Sequence, residues 1–171
     1  TLRFGPQAAA GQVSSYRSMQ NLLRVMEQGE ISLLLLAGVN PLFNLPEGKR
    51  FRDALAKIPL VVSFSSFPDE TAMAAHLILP ENTFLESWGD YEPRTGIHGL
   101  QQPVMERLYD TRTLGDILLS LSRRLETKEK LPWENFYLYL RDRWKELHPR
   151  MKPDVDFEGF TVVPVPLHPQ R

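Results

Sequence analysis

An α/β fold is predicted: a three-layer, doubly wound, Rossmann-like parallel sheet with flanking helices and an extended C-terminal tail. Three observations predict it. Residues 31–37, 60–64 and 77–79 are short apolar runs without polar–apolar alternation, as expected of strands covered on both faces. Helical patterns precede, separate and follow them. The connections are short, so right-handed β–α–β crossovers are the natural closure.

The first helix is predicted from Ser14. Met19, Leu22, Leu23 and Met26 recur at i, i+3, i+4 and i+7 and share one face. Ser14 or Ser15 can cap its first turn, and Gly29 can close it in the left-handed region. The first strand, 31–37, ends at Gly38. A Gly38-Val39-Asn40-Pro41 loop follows, and Pro46 and Gly48 lead into a short helix placing Phe51, Leu55 and Ile58 on one side. Pro59 stops that helix before the second strand. Asp69 is expected to cap a brief helix over 70–75, and 77–79 is the third strand. Residues 80–112 are rich in Gly, Pro and polar groups and read mainly as loop. Thr113 and Asp116 form a capping box for a helix whose expected apolar face is Leu114, Ile117, Leu118, Leu121 and Leu125. A last helix is expected from Pro132, with a stripe of Trp133, Phe136, Tyr137, Leu140, Trp144 and Leu147 that reads mostly as core. Residues 1–148 are thus expected to form one domain and 149–171 a Pro-rich tail.

Composition narrows the function. The 171 residues are 42% hydrophobic and 24% charged, a balance that supports a buried core. A net charge of −1 argues against a non-specific nucleic-acid binder, which needs a basic face. The chain has no cysteine, so it cannot by itself hold an iron–sulfur cluster or a thiolate metal site. No apolar run approaches the ~20 residues of a membrane span, so no direct membrane insertion is expected. The sequence begins with Thr rather than Met, as expected of a processed or excised piece of a longer protein.

In open parallel sheets, ligands bind beyond the carboxyl ends of the strands. The candidate segments are therefore the loops after each strand. Gly38 permits close backbone approach, Pro41 fixes the turn, and Asn40 offers a donor and an acceptor. This can cradle a phosphate or a nucleotide edge; it can equally be a strand-ending turn. Ser63, Ser65 and Ser66 can bond a ligand or satisfy a tight turn. No histidine lies close in sequence to activate them as nucleophiles. Glu86 and Asp90, with His98, offer a weaker hydrolase reading. Glu86 reads better as a carboxylate that binds backbone amides and shapes its loop, and Trp88 as a packing anchor. No two of His76, His98, His148 and His168 have helical metal-site spacing, so no metal ligand is assigned.

Taken in order, several segments resemble a domain of the molybdopterin oxidoreductase (dimethyl sulfoxide reductase) family. They are Leu33–Leu36 with Gly38-Val39-Asn40-Pro41, Leu60-Val61-Val62, Asp69-Glu70-Thr71-Ala72, Leu77-Ile78-Leu79-Pro80, and Glu86 with Gly89. The resemblance covers about residues 20–125. Within the family, Phe64-Ser65-Ser66-Phe67, Leu85-Glu86-Ser87-Trp88-Gly89-Asp90 and Gly99-Leu100-Gln101-Gln102-Pro103 are most similar to the molybdopterin-like iron–sulfur subunit of alternative complex III. That is a membrane-bound, quinol-oxidising respiratory complex.

The resemblance implies a module for one molybdopterin guanine dinucleotide. Gly38, Asn40 and Pro41 would lie near its phosphates, Ser63, Ser65 and Ser66 near its guanine, and Glu86 in the adjoining loop. The sequence departs from the family where Ser63 or Ser65 replaces an Asp suited to the guanine N–H donors. It also departs where His76 replaces an Asp, and where 91–99 replaces an Asn-x-Glu-Gly-Arg stretch. These departures imply a fold kept without molybdenum, hence a scaffold or vestigial cradle with no catalytic residue of its own. The alternative is the dinucleotide-binding domain of an active molybdenum oxidoreductase. The implied partners are other domains of the parent polypeptide and further subunits of a membrane-associated complex. The implied location is the periplasmic side of the cytoplasmic membrane, with the cytoplasm as the alternative.

Overall fold

The computed structural model describes residues 14–94, 97–125 and 131–147. The expected tail over 149–171 lies outside these residues. Helix α1 spans Tyr16–Glu27; the Ser15 hydroxyl accepts the Ser18 amide, and the turn closes through Gly29 at φ +74°. Strand β1 is Leu33–Leu36. A four-residue helix, α2 (Pro41–Asn44), follows directly, with Pro41 in its first turn, and α3 spans Gly48–Leu55. Strand β2 is Leu60–Ser63 and β3 is Leu77–Ile78.

The sheet order is β1-β2-β3, and both pairings are parallel. Leu33 pairs with Leu60 and Leu36 with Ser63; Val62 pairs with Leu77. The carboxyl ends of β1 and β2 therefore meet at one end of the sheet, where the Asn40 and Ser65 loops emerge. One face carries the core. Leu36 and Val61 are buried with Leu23 and Met26 of α1, Phe51, Ala54 and Leu55 of α3, and Ile58. Both helices pack on that same face.

The strand over 31–37 was expected to be covered on both sides, but Leu33 and Leu35 are exposed. The uniform leucine run fits a buried parallel strand, yet α1 and α3 supply only one layer. The expected helix over 70–75 is a single 3-10 turn, Ala72–Ala74. Asp69 Oδ1 accepts the Thr71 and Ala72 amides there, and the segment is too short to propagate an α-helix.

The expected loop over 80–112 contains a hairpin. Strand β4 (Gly89–Arg94) pairs antiparallel with β5 (Ile97–Gln101), and a 3-10 turn at Phe84–Glu86 precedes it. Pro93 and the interspersed glycines mask the strand pattern. The register resolves this: Tyr91 faces Gly99, where an added Cβ would lie 2.4 Å from the tyrosine ring. The ring lies across the glycine and supplies the apolar cover that the strand lacks.

Helix α4 is Leu114–Arg124, capped as expected by Thr113, whose hydroxyl accepts the Asp116 amide. Its buried residue is Leu119, whereas Leu118, Leu121 and Leu125 of the expected face are exposed. The helix docks through the side flanked by Asp116, whose Oδ1 accepts the Phe136 amide at 2.7 Å, so its richest apolar stripe turns outward. Helix α5 starts at Phe136, four residues later than expected, and runs to Leu147. Asn135 sets that start by accepting the Leu138 amide at 2.9 Å. Of the predicted stripe, Leu140 is buried, and Trp88 packs its ring 5.1 Å from Tyr137, an anchor as expected.

Candidate functional site

The loops after β1 and β2 meet in one hydrogen-bonded network. Gly38 leaves β1 at φ +63°, a conformation favouring glycine, and open space lies where a Cβ would stand. The chain then turns into α2, and its backbone near Gly38 is approachable. Asn40 is not aimed at that space. Its Nδ2 donates to Glu70 Oε2 at 2.7 Å, and its Oδ1 accepts from Thr71 Oγ1 at 2.6 Å. Thr71 is fully buried, and its Oγ1 also accepts the Leu42 amide at 3.1 Å. One threonine hydroxyl thus binds both the asparagine side chain and the first turn of α2.

The serines are engaged in the same way. Ser63 is buried and its Oγ accepts the Ser65 amide at 3.3 Å. Ser65 Oγ lies 2.8 Å from the Phe67 carbonyl and 3.0 Å from Asp69 Oδ2, so its single proton is offered to two acceptors. Ser66 Oγ donates to the Glu81 carbonyl at 2.7 Å, which ties the end of β2 to the chain leaving β3.

Glu86 belongs to a different loop. Its Oε2 accepts the Thr83 amide at 2.9 Å, closing the capping box of the 3-10 turn, and its Oε1 accepts the Leu108 amide at 2.9 Å. These amide bonds, that from Leu108 first, hold its carboxyl below the usual glutamate range. A group held ionised and fully coordinated by its own loop is poorly suited to act as a general acid. Asp90 points instead to α5, 3.6 Å from the Arg143 guanidinium. The hydrolase reading of Glu86, Asp90 and His98 gains no support from this geometry.

Residue-level reading missed two participants. Glu70 and Thr71 were expected as part of a short helix and of a segment carrying the family resemblance, not as partners of Asn40. The Asn40 amide keeps the Glu70 carboxyl below its ordinary range. Nearby, burial pushes the Glu81 carboxyl up. Among the described residues no group of three or more His, Cys, Asp or Glu side chains can hold a metal. No helix among them is long and apolar enough to cross a membrane.

The donor chemistry at the strand tips tests the fit to a dinucleotide. Gly38 leaves room for a ligand against the backbone. The side chains do not match a phosphate: the Asn40 amide and the Ser65 and Ser66 hydroxyls donate within the chain, and Glu70 places an exposed carboxylate beside Asn40. An anionic phosphate there would meet a like charge.

Comparison with known proteins returns one family. The family model described as "Molybdopterin oxidoreductase" matches residues 6–124. The "Menaquinone reductase, molybdopterin-binding-like subunit" of Nitratidesulfovibrio vulgaris is 40% identical over 96 residues, 54% of this chain and 14% of that protein. The "NADPH-Fe(3+) oxidoreductase subunit alpha" of Geobacter sulfurreducens is 33% identical over 127 residues, 72% of this chain and 14% of that protein. The molybdopterin-containing subunit of the arsenate respiratory reductase of Chrysiogenes arsenatis is 30% identical over 109 residues, 61% of this chain and 12% of that protein. The match thus spans about one seventh of the length of these relatives.

Proposed function

Because the chain belongs to the molybdopterin oxidoreductase family, we propose that it is one segment of a longer molybdopterin-oxidoreductase-like subunit of a respiratory, quinol-oxidising complex, where it acts as a scaffold that keeps the cofactor cradle without loading it. The observation that carries this reading is the closure of the strand tips. Asn40 commits one of its two amide N–H donors to Glu70, and Ser65 and Ser66 commit their hydroxyl protons to Asp69 and backbone carbonyls, joining the β1 and β2 loops to each other and to the chain after β3. Such a network rigidifies an edge of the sheet. It does not offer the converging donors that a pyrophosphate requires. The absence of cysteine fits a segment that conducts no electrons through clusters of its own.

The relatives support the wider setting. One is a menaquinone reductase subunit described as molybdopterin-binding-like, and another is a respiratory reductase subunit. On this reading the parent subunit sits with partner subunits at the membrane, on its periplasmic side, without inserting this segment. Its sheet is a three-layer, doubly wound one, with the second helical layer contributed elsewhere in the subunit. The second reading, a loaded guanine dinucleotide site in an active enzyme, is favoured by the open space at Gly38.

Guanosine diphosphate carries the guanine and pyrophosphate in question and separates the two readings. Calorimetric titration of the natural polypeptide is expected to give no saturable heat at millimolar nucleotide. Micromolar binding that Asn40→Ala weakens tenfold or more would establish the loaded site instead.

A further inference from the structure

Two arginines meet on one serine beyond the β3 edge of the sheet. The Glu81 amide donates to the Phe64 carbonyl on one side, and Glu81 bridges Arg112 in parallel on the other, so Arg112 lies across β3 from the Asn40 loop. Arg112 Nη2 donates to Ser120 Oγ at 2.8 Å, and Arg123 Nη2 donates to the same oxygen at 3.3 Å. Both arginines are exposed. Among the described residues no ion pair includes either, and Arg123 Nη1 donates to the Glu134 backbone carbonyl. Two like charges held beside one neutral oxygen repel each other, and a carboxylate between them removes that cost. The serine adds a donor. Ser122 gives its proton to the Leu119 carbonyl at 2.9 Å, whereas the Ser120 proton has no acceptor among the described residues. Leu118, Leu121 and Leu125 run at i, i+3 and i+7 along the neighbouring stripe of α4 and its C-cap, and are 41%, 40% and 51% exposed. The inward side of α4 is already docked, with Leu119 buried and Gly115 against Phe136.

We infer that the outward half of α4, with Arg112 beside it, docks a partner subunit through an acidic, apolar segment. An Asp or Glu side chain of that partner seats between Arg112 and Arg123, and the residues around it cover Leu118, Leu121 and Leu125. The inference deepens the reading above that the chain belongs to a subunit of a complex, and rests on it. Charge and composition choose the occupant. The covering layers inside an α/β domain are apolar, and a guanidinium pair buried there without an acid to meet it is strongly destabilising. Contacts between separate subunits are where arginine is enriched beside apolar anchors. A free anion is a poorer fit. Exposed ion pairs contribute little by themselves, so the carboxylate has to arrive on a surface that also covers the leucines.

Zero-length crosslinking of the purified natural complex tests the assignment. Arg123→Lys keeps the charge and supplies an amine, which a carbodiimide joins to a touching carboxylate as an amide while the reagent takes up the water. The expected product is residue 123 joined to an Asp or Glu of a different subunit, read by mass spectrometry of the digested complex. A bond to an acidic residue of this polypeptide's own sequence would put the same chain or a second copy there. No bond at all would leave the face bare or on lipid. Each of these results overturns the inference. Subunit association gives a second readout. Arg112→Glu combined with Arg123→Glu should weaken it roughly tenfold or more, and Leu121→Ala roughly threefold, at an unchanged urea midpoint. Arg141→Glu, on α5 beside Asp142, should change it less than about twofold. Equal effects of the Arg123 and Arg141 substitutions would reduce the result to net charge and overturn the proposed seat. Failure of the parent reading is distinguishable: a natural protein whose native mass is that of one polypeptide has no partner to lose, and removes both readings.

Discussion

Thr71 spends one hydroxyl twice, donating to Asn40 Oδ1 and accepting the Leu42 amide, in a fully buried position. Replacing it by valine keeps the shape and strands both partners. Leaving buried polar groups unpaired costs about 1–3 kcal/mol. Thr71→Val should lower the stability of the polypeptide by that amount, read as a drop in urea midpoint at unchanged slope. Thr71→Ser keeps the hydroxyl and should lose about 1 kcal/mol for its methyl. An unchanged midpoint in Thr71→Val would mean that packing, not the hydrogen bonds, holds the loop. The glutamates give opposite pH signatures. Glu86 titrates below its ordinary 4.5 because backbone amides stabilise the carboxylate. Its contribution is present above pH 4.5 and is lost as pH falls through its lowered folded value. Glu81 is raised by burial, so it opposes stability once pH rises through its folded value, and the penalty vanishes below 4.5. Denaturation between pH 3 and 8 should show Glu86→Gln losing stability mainly at neutral pH, and Glu81→Gln gaining it there.

Among the elements, the β4–β5 hairpin and α5 depend on each other. Trp88 meets Tyr137 at 5.1 Å between ring centroids, and Asp90 meets Arg143 at 3.6 Å. An aromatic pair contributes about 0.5–1.5 kcal/mol beyond area burial, whereas an exposed ion pair contributes about 0–1. Tyr137→Ala should therefore accelerate amide exchange along residues 89–101 well above Arg143→Ala. The reverse ranking would assign the docking to charge. This hairpin was illegible in the sequence because its strand character depends on a cross-strand partner: Gly99 has no β preference until the Tyr91 ring covers it. Helix α1 was legible down to a cap at Ser14 or Ser15, of which Ser15 serves, since capping and periodicity are local. The buried side of α4 was not, because Leu119 and Leu121 are equivalent until α5 is in place.

At the scale of the whole molecule, the parallel order β1-β2-β3 and the meeting of the Asn40 and Ser65 loops were readable from three unalternating apolar runs and short connections. Burial of these runs on both faces was expected as well, but the described residues cover only one face. What the residues could not give was the direction of each donor at the strand tips. A Gly-x-Asn-Pro turn reads equally as a ligand cradle or as a braced corner. Only the positions of Glu70 and Thr71 distinguish the two, and those depend on how a one-turn segment thirty residues away folds back. On the proposed reading, the braced corner is what would separate family membership from cofactor loading. The direct measurement is molybdenum by elemental analysis, together with released pterin fluorescence, per mole of the purified natural subunit. The scaffold account predicts far less than one equivalent of either, and one equivalent of both would contradict it.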